Sequence, residues 1–462
     1  MRRILPRLEM RPRLRDRELR LLVVVAATLC VGWISLASTR AGSLAVGDPL
    51  PLVCWLFALA GLHLAFVISG RDLDQVLLPV VGMLGGISLL LMERLPQGLV
   101  VQRLGDRTLL LGDLQLLWLL LGAGILGVTA ISVRSVRWLR EYRYTWAALG
   151  ICLLVAVFLL GDEVNGARLS VHLGPLSGQP SELLKVILVI FLAAYLADNR
   201  PILARSSLRV GPLRLPPLPY LLPMLAMWGI ALSMVIVQKD LGAALLLFSV
   251  FLALLYIATQ RGSYVILGLL LFLVGAALLY SQLGHVRTRV DIWLDPWADP
   301  LGAGYQVVRS LYAFGRGGIL GTGLGAGLPT VGSVPAIPLI HTDFAFAAVG
   351  EELGLLGALA VATCYLVIAE RGLRVAARAP DEFQALLAAG LTLVVVLQAA
   401  LIMAANLRLV PLTGVTLPFI SYGGSSLLTN ALVVGLLLAL SDRRAVRGVP
   451  VAGYRIGRSA VA

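Results

Sequence analysis

Residues 233–249, SMVIVQKDLGAALLLFS, decide how the whole chain is read. Two apolar runs meet at Gln238-Lys239-Asp240. Together they are about 40 residues, or about 60 Å as helix, roughly twice the thickness of bilayer hydrocarbon. The chain must therefore reverse at 238–240, leaving one helix over 219–237 and another over 241–258. Lysine is scarce throughout: Lys239 and Lys185 are the two lysines among 38 basic residues. A lysine set beside an aspartate at a membrane boundary calls for a reason.

The pattern repeats outward from this stretch. The 462-residue chain is 59% hydrophobic and 14% charged, with mean hydropathy +0.90. A soluble domain carries about 25% charged residues. Apolar runs of membrane-spanning length recur, and they are continuous instead of alternating, so helices and not a barrel satisfy the backbone in lipid. The expected fold is an all-α polytopic membrane protein with about 12 transmembrane helices, near 20–38, 49–69, 75–93, 113–133, 144–161, 181–197, 219–237, 241–258, 264–282, 343–369, 383–404 and 424–441. No cleavable signal peptide is read at the first run. Cys30, Cys54, Cys152 and Cys364 all fall in apolar runs without a C-x-x-C pair, and are expected to be small core residues.

A net charge of +13 suggests nucleic acid until its distribution is considered. With the N-terminus inside, roughly two thirds of the basic residues fall on the inner side, as the positive-inside rule requires. Both termini are thus expected in the cytoplasm, the partners of the excess charge being anionic head groups and not nucleic acid. Residues 1–20 read as a basic cytoplasmic tail and 442–462 as a second tail; neither needs a role beyond orientation. On the outer face, residues 283–341 form a loop far longer than a connection requires. It carries Trp293, Trp297, Tyr305, Tyr312 and Phe314 and is expected to fold over the mouth of the bundle.

Several polar constellations stand out. In SELLK, Glu182 and Lys185 share a helix face, with Ser181 at the N-cap position. They read either as an ion pair locking two helices or as a cationic wall for an anionic ligand. Asn165 and Arg168 lie on the same side as Lys239 and Asp240, a plausible seat for a phosphorylated head group. In VDIWLDPWADPLGAGYQ, Asp291, Asp295 and Asp299 are four apart, and Pro296 and Pro300 prevent one clean helix. Asp299 also reads simply as a loop cap. The glycine-rich FGRGGILGTGLGAG permits tight turns or close backbone approach to a ligand, but no strand–helix unit makes it a dinucleotide fingerprint. Glu351, eight residues beyond Asp343, sits about 12 Å deeper along its helix and needs water, a cation or protein beside it. Walker A and H-E-x-x-H motifs are absent, and the four histidines are scattered.

The motifs NGAR (165–168), QPSELLK (179–185), QKDLGAALL (238–246), DPWADPLGAGYQVVRSLYAFGRGGILGTGLGAG (295–327), HTDFAFAAVGEELGLLG (341–357) and PLTGVTLPFISYGGSS (411–426) occur in that order. Together they resemble the SEDS family of shape, elongation, division and sporulation proteins, the RodA/FtsW/SpoVE group. The resemblance covers a core at 75–441, with 20–69 as two N-terminal helices added to the usual ten. It implies a peptidoglycan glycosyltransferase of the bacterial cell membrane that polymerises lipid II at the outer face. It also implies a class B penicillin-binding protein as transpeptidase partner, with other elongation or division machinery. A lipid II flippase is the alternative.

By resemblance, Asp299 is the catalytic aspartate, and Glu182, Lys185, Lys239 and Asp240 line the polar cavity. Asn165, Arg168, Asp343, Glu351 and Ser425 complete the expected substrate-binding set. Lys239 stands where the family usually has proline. No cofactor is identifiable; a divalent cation, Mg2+ or Mn2+, is compatible with a diphosphate substrate.

Overall fold

The computed structural model describes residues 14–41, 49–96, 99–104, 107–164, 167–173, 176–204, 208–210, 213–215, 229, 239–327, 330–331 and 334–442. Long apolar helices dominate: α1 Asp16–Ala41, α2 Leu50–Ser69, α3 Leu77–Arg94, α4 Leu111–Ser132, a short α5 Arg137–Glu141, α6 Arg143–Leu160, α7 Pro180–Ala204, α8 Leu241–Thr259 and α9 Gly262–Gln282. Then come α10 Gly284–Leu294, α11 Tyr305–Gly317, α12 Ala345–Glu352, α13 Gly354–Ala377, α14 Glu382–Asn406 and α15 Gly424–Leu440. Among the described residues nine helices are long and apolar enough to cross a membrane, and α6 and α15 contribute shorter apolar stretches. The expected span at 219–237 lies outside the described residues, as do most of the two tails.

Three expectations need correction. The span at 343–369 is two helices, because Leu353 and Gly354 break it and Gly354 takes φ +65°. The basic tail is shorter than residues 1–20, because α1 starts at Asp16 and buries Arg15 and Glu18. The cysteines are free but not core residues: Cys30 and Cys152 are exposed, and Cys54 and Cys364 are partly covered. In a membrane bundle an outward helix face needs only to be apolar, so a small apolar residue there says nothing about depth. The all-helical expectation also missed four small antiparallel sheets in the connections, the largest being the three-stranded β3-β4-β5 (Asp162–Val164, Ala167–Leu173 and Leu176–Gly178).

Burial ranks the helices. In α3, 78% of the apolar window is buried, in α7 and α14 67%, and in α9 only 6%. The centre is therefore α3, α7, α8 and α14, and α9 faces outward. The N-terminal pair is bound closely to this core. Leu29 of α1 packs against Gly86, Leu59 of α2 against Gly82, and Trp55 against Gly85, where any larger side chain on α3 would collide. Small residues are what let membrane helices approach. Trp55 also donates its indole N–H to the Gly82 carbonyl at 3.1 Å. At the end where α1 begins, Arg15 pairs with Glu18 and donates to the Leu73 carbonyl at 3.2 Å, while His63 lies 2.7 Å from Glu18.

The loop over 283–341 is folded where it is described. It contributes α10, a 3-10 turn at Pro296–Ala298 and α11, and it is anchored at several points. Its glycine-rich stretch fits into the α12–α13 break. The amides of Thr322 and Gly323 donate to the carbonyls of Glu351 and Glu352 at 3.0 Å, and the amides of Leu355 and Leu356 donate to Gly318 and Ile319 at 2.9 and 3.2 Å. Two carbonyls at the end of α12 and two amides at the start of α13 are thereby satisfied by backbone. A Cβ on Gly321 would stand 2.1 Å from the Glu352 carbonyl oxygen. The glycines permit close backbone approach, but to the protein's own chain.

Candidate active site

The first turn of α7 and the N-terminus of α8 face one another across α14. Lys185 is 3% exposed, and its ammonium donates to Glu182 at 2.5 Å and to the Gln398 side-chain oxygen at 2.7 Å. The Gln398 amide continues to the Thr416 carbonyl at 2.8 Å, and Thr416 donates to Ser426 at 2.7 Å. Asp240 caps α8, accepting from the Ala243 amide at 2.9 Å. Gln179, Ser181, Glu182, Lys185, Asp240 and Gln398 line one narrow cavity of about 30 Å³, closed by the 414–416 segment. It has room for water and not for a sugar.

Burial pushes the Asp240 carboxyl above the ordinary carboxylate range; the Ala243 amide opposes this, Glu182 adds to it and Arg289 counters it. Asp343, half-buried, is pushed up to about 6 by burial, against the pull of Arg289 and a hydrogen bond with Thr342, with Asp240 adding. Arg289 thus sits in the field of both aspartates. It projects from α10 and donates to the Leu412 and Thr413 carbonyls at 3.2 and 3.1 Å.

Asp299 follows the 3-10 turn and is exposed. Its two carboxylate oxygens accept from the Gly302 and Ala303 amides at 3.0 and 2.8 Å, and the Gly304 amide donates to its carbonyl at 3.0 Å. The glycines make this possible: a Cβ at 302 would sit 2.2 Å from a carboxylate oxygen of Asp299, and one at 304 would sit 2.1 Å from the Pro296 carbonyl. Two of about four lone-pair positions are used, so the carboxylate is oriented and still able to accept. The turn is anchored to the end of α14. Trp293 donates to the Arg408 carbonyl at 3.2 Å, Arg408 donates to the Trp293 carbonyl at 2.8 Å and lies over the Trp297 ring at 4.9 Å, and Ser310 donates to the Asn406 carbonyl at 3.1 Å. Gln398 is eight residues earlier on α14, about 12 Å along its axis. The Asp299 loop and the Lys185 cavity therefore share α14 and the 412–416 segment as their mounting.

The remaining expected residues separate. Lys239 is exposed at φ +56°, a backbone angle that proline cannot adopt, and has no ion pair among the described residues. Ser425 accepts from the Gln179 amide at 3.0 Å and so fixes one wall of the cavity. Glu351 is elsewhere: with Glu352 it is buried against Arg94 of α3 and Arg316 of α11. Asn165 and the side chain of Arg168 lie outside the described residues. Sequence reasoning missed Gln398, Thr416, Ser426 and Arg289. Gln398 carried a signal, as the one amide in the apolar run 386–403; the others gave none, because a loop arginine or a helix-end hydroxyl is ordinary. Among the described residues no three of His, Cys, Asp and Glu gather to hold a metal ion.

The described residues form a bundle of apolar helices with a charged cavity at one end and a clamped carboxylate loop beside it. The profile of the FtsW/RodA/SpoVE cell cycle protein family matches residues 75–445, and the chain belongs to that family. It is 40% identical over 393 residues to the peptidoglycan glycosyltransferase RodA of Mycobacterium tuberculosis, covering 84% of this chain and 82% of that protein. It is 35% identical over 333 residues to a probable peptidoglycan glycosyltransferase FtsW of Geobacter sulfurreducens, covering 72% of this chain and 84% of that protein. Among solved structures it matches a chain of a peptidoglycan synthase complex at TM-score 0.65 and 26% identity, covering 80% of this chain and 98% of that one. The rod shape determining protein RodA of Thermus thermophilus matches in fold, at TM-score 0.53 and 23% identity over 80% of this chain and 97% of that one.

Proposed function

We propose that this chain is a peptidoglycan glycosyltransferase of the bacterial cell membrane that polymerises lipid II into glycan strands. The observation that carries the reading is the 40% identity to RodA glycosyltransferases across 84% of the chain. The flippase alternative is set aside, because the relatives carry glycosyltransferase names. The finer reading keeps twelve spans in all, a ten-helix core at 75–441 preceded by two added helices, both termini cytoplasmic and the 283–341 loop outside.

The chemistry follows from the donor. Lipid II carries its sugar on a diphosphate, already a good leaving group, so the acid that a glycosidase needs is dispensable if cations receive the departing charge. One base is still required for the attacking hydroxyl. Asp299 takes that proton as the acceptor oxygen bonds to the donor anomeric carbon. The bond from that carbon to the phosphate oxygen breaks, and the polyprenyl diphosphate leaves with its electron pair. One displacement inverts the α-linked donor to a β-linked strand. Lys239 and Arg289, with Lys185 and Arg168, receive the diphosphate; Glu182, Gln398 and Asp240 hold Lys185 and the rim in place.

The partner is a class B penicillin-binding protein that cross-links the new strands; the likeness to a chain of a synthase complex that coordinates polymerization and crosslinking supports this. A fluorescent lipid II polymerisation assay on purified protein, with and without that partner, tests the function. Absence of strands under both conditions would overturn it.

A further inference from the structure

At the end of the bundle where α1 begins, far along the helices from the Lys185 cavity, lies a second concavity. Its volume is about 700 Å³, and its charged lining is Arg17 of α1, Arg371, Arg374 and Arg378 at the end of α13, and Asp72 and Asp74 between α2 and α3. Positions 371, 374 and 378 fall on one helix face, so three guanidiniums point the same way. Arg371 is fixed: it bonds Asp74 at 2.7 Å, and Asp74 in turn accepts from the Val76 and Leu77 amides at 2.9 and 3.2 Å. Arg374 pairs with Glu370. Arg17 and Arg378 are exposed and have no ion pair among the described residues. With Glu370 included the cluster is cationic by one charge, and the guanidiniums of Arg17 and Arg378 are uncommitted.

Orientation alone explains arginines on this side, but not their convergence from two separate helices around one hollow. Residues 1–13 and 443–462 are rich in arginine and hold one acidic residue, Glu9. We propose that this concavity binds a phosphate ester, with the head group of an anionic lipid of the adjoining leaflet as the source its place at the helix ends favours. Guanidinium groups recognise phosphate through paired N–H donors. Arg17 belongs to the added N-terminal helix, so the ligand would join that helix to α13. The site is separate from the sugar-polymerising one and does not rest on it.

The test uses full-length protein in detergent, stripped of lipid, with thermal stabilisation read against added phosphatidylglycerol, phosphatidylcholine or inorganic phosphate. Phosphatidylglycerol should stabilise the protein beyond phosphatidylcholine, and the double variant Arg17→Gln/Arg378→Gln should bind it about tenfold more weakly. The matched variant Arg134→Gln/Arg137→Gln, on another inner loop, should bind as the unaltered protein does. Protection by inorganic phosphate, lost in the Arg17/Arg378 variant, supports the site and assigns a soluble ester as its source. Unchanged strand synthesis in phosphatidylcholine verifies that the variant is folded; if it is not, Arg17→Lys/Arg378→Lys, weakening binding without loss of synthesis, serves instead. Equal affinity in the Arg17/Arg378 variant and the unaltered protein, or equal losses in both loop variants, overturns the proposal.

Discussion

At the start of α7, Lys185 lies between Glu182 and Gln398 and faces a polar cavity. At the α12–α13 break, Glu351 and Glu352 lie against Arg94 and Arg316, and the glycine-rich backbone closes over them. Both are carboxylates and cations within apolar surroundings, and both are costly to create. Their difference is in the neighbours. The Glu182 side chain keeps 12% of its surface, whereas that of Glu352 keeps none and also accepts from the Gly327 amide at 3.1 Å. A charge cluster that borders a cavity can meet a ligand; Arg94 and Glu352, closed over by backbone, hold two helices and a loop together, while Arg316 of the same cluster keeps 37% of its side-chain surface.

The sharpest way to test that division is at the loop beside the cavity. Asp299→Ala should lower strand synthesis by about 10²–10⁴-fold with protein level unchanged, the range expected for loss of a general base. Near-normal synthesis in the fluorescent assay removes Asp299 from the mechanism. Next, Arg94→Met leaves two buried carboxylates without their shared partner and should cost about 3–5 kcal/mol. Membrane protein level and thermal unfolding report it, and a stable but inactive Arg94 variant would place the sealed cluster in the catalytic machinery.

Lys185→Met should cost less stability, about 1–2 kcal/mol, because Glu182 borders the cavity and regains water, while synthesis falls below measurement. If stability falls as far as for Arg94→Met, Lys185 is a lock like the other cluster. Lys239→Met, at an exposed position, should leave unfolding unchanged and weaken lipid II use about tenfold, the value of one charge-assisted contact.

The smallest effect concerns pH. Asp343 has a folded pKa of about 6, above the usual value near 4, so the native state holds its proton more tightly than the unfolded chain. Stability is then greatest below about 4 and declines as pH rises to about 6, after which this contribution is constant. Thermal unfolding across that window should show the decline, and Asp343→Asn should lessen it, leaving the part that Asp240 and Glu352, also raised by burial, contribute. An unaltered slope in the variant would assign the titration elsewhere.

Much of this was legible in order along the chain. Apolar runs marked most of the described helices, since hydrocarbon thickness dictates their length, but 343–369 broke into two helices and α7 ran on to Ala204. Glu182, Lys185, Lys239 and Asp240 were expected to line one polar cavity; Glu182, Lys185 and Asp240 line one narrow hollow, and Lys239 is exposed outside that lining. Glu351 was legible as a buried carboxylate needing a partner, but Arg94 and Arg316 lie far off in sequence, so no spacing could name them. Arg289 was missed because one arginine in a long loop has no periodicity to single it out.

The sequence by itself determined a membrane-embedded helical protein, because a bilayer admits few backbone solutions and charges their violation heavily. Tertiary structure alone decided which buried charges border a cavity and which are sealed. It also decided that the glycine-rich stretch splices a broken helix and that Arg289 ties the Asp299 loop to the cavity rim. Those outcomes depend on which distant segments pack together, and local composition carries no record of that.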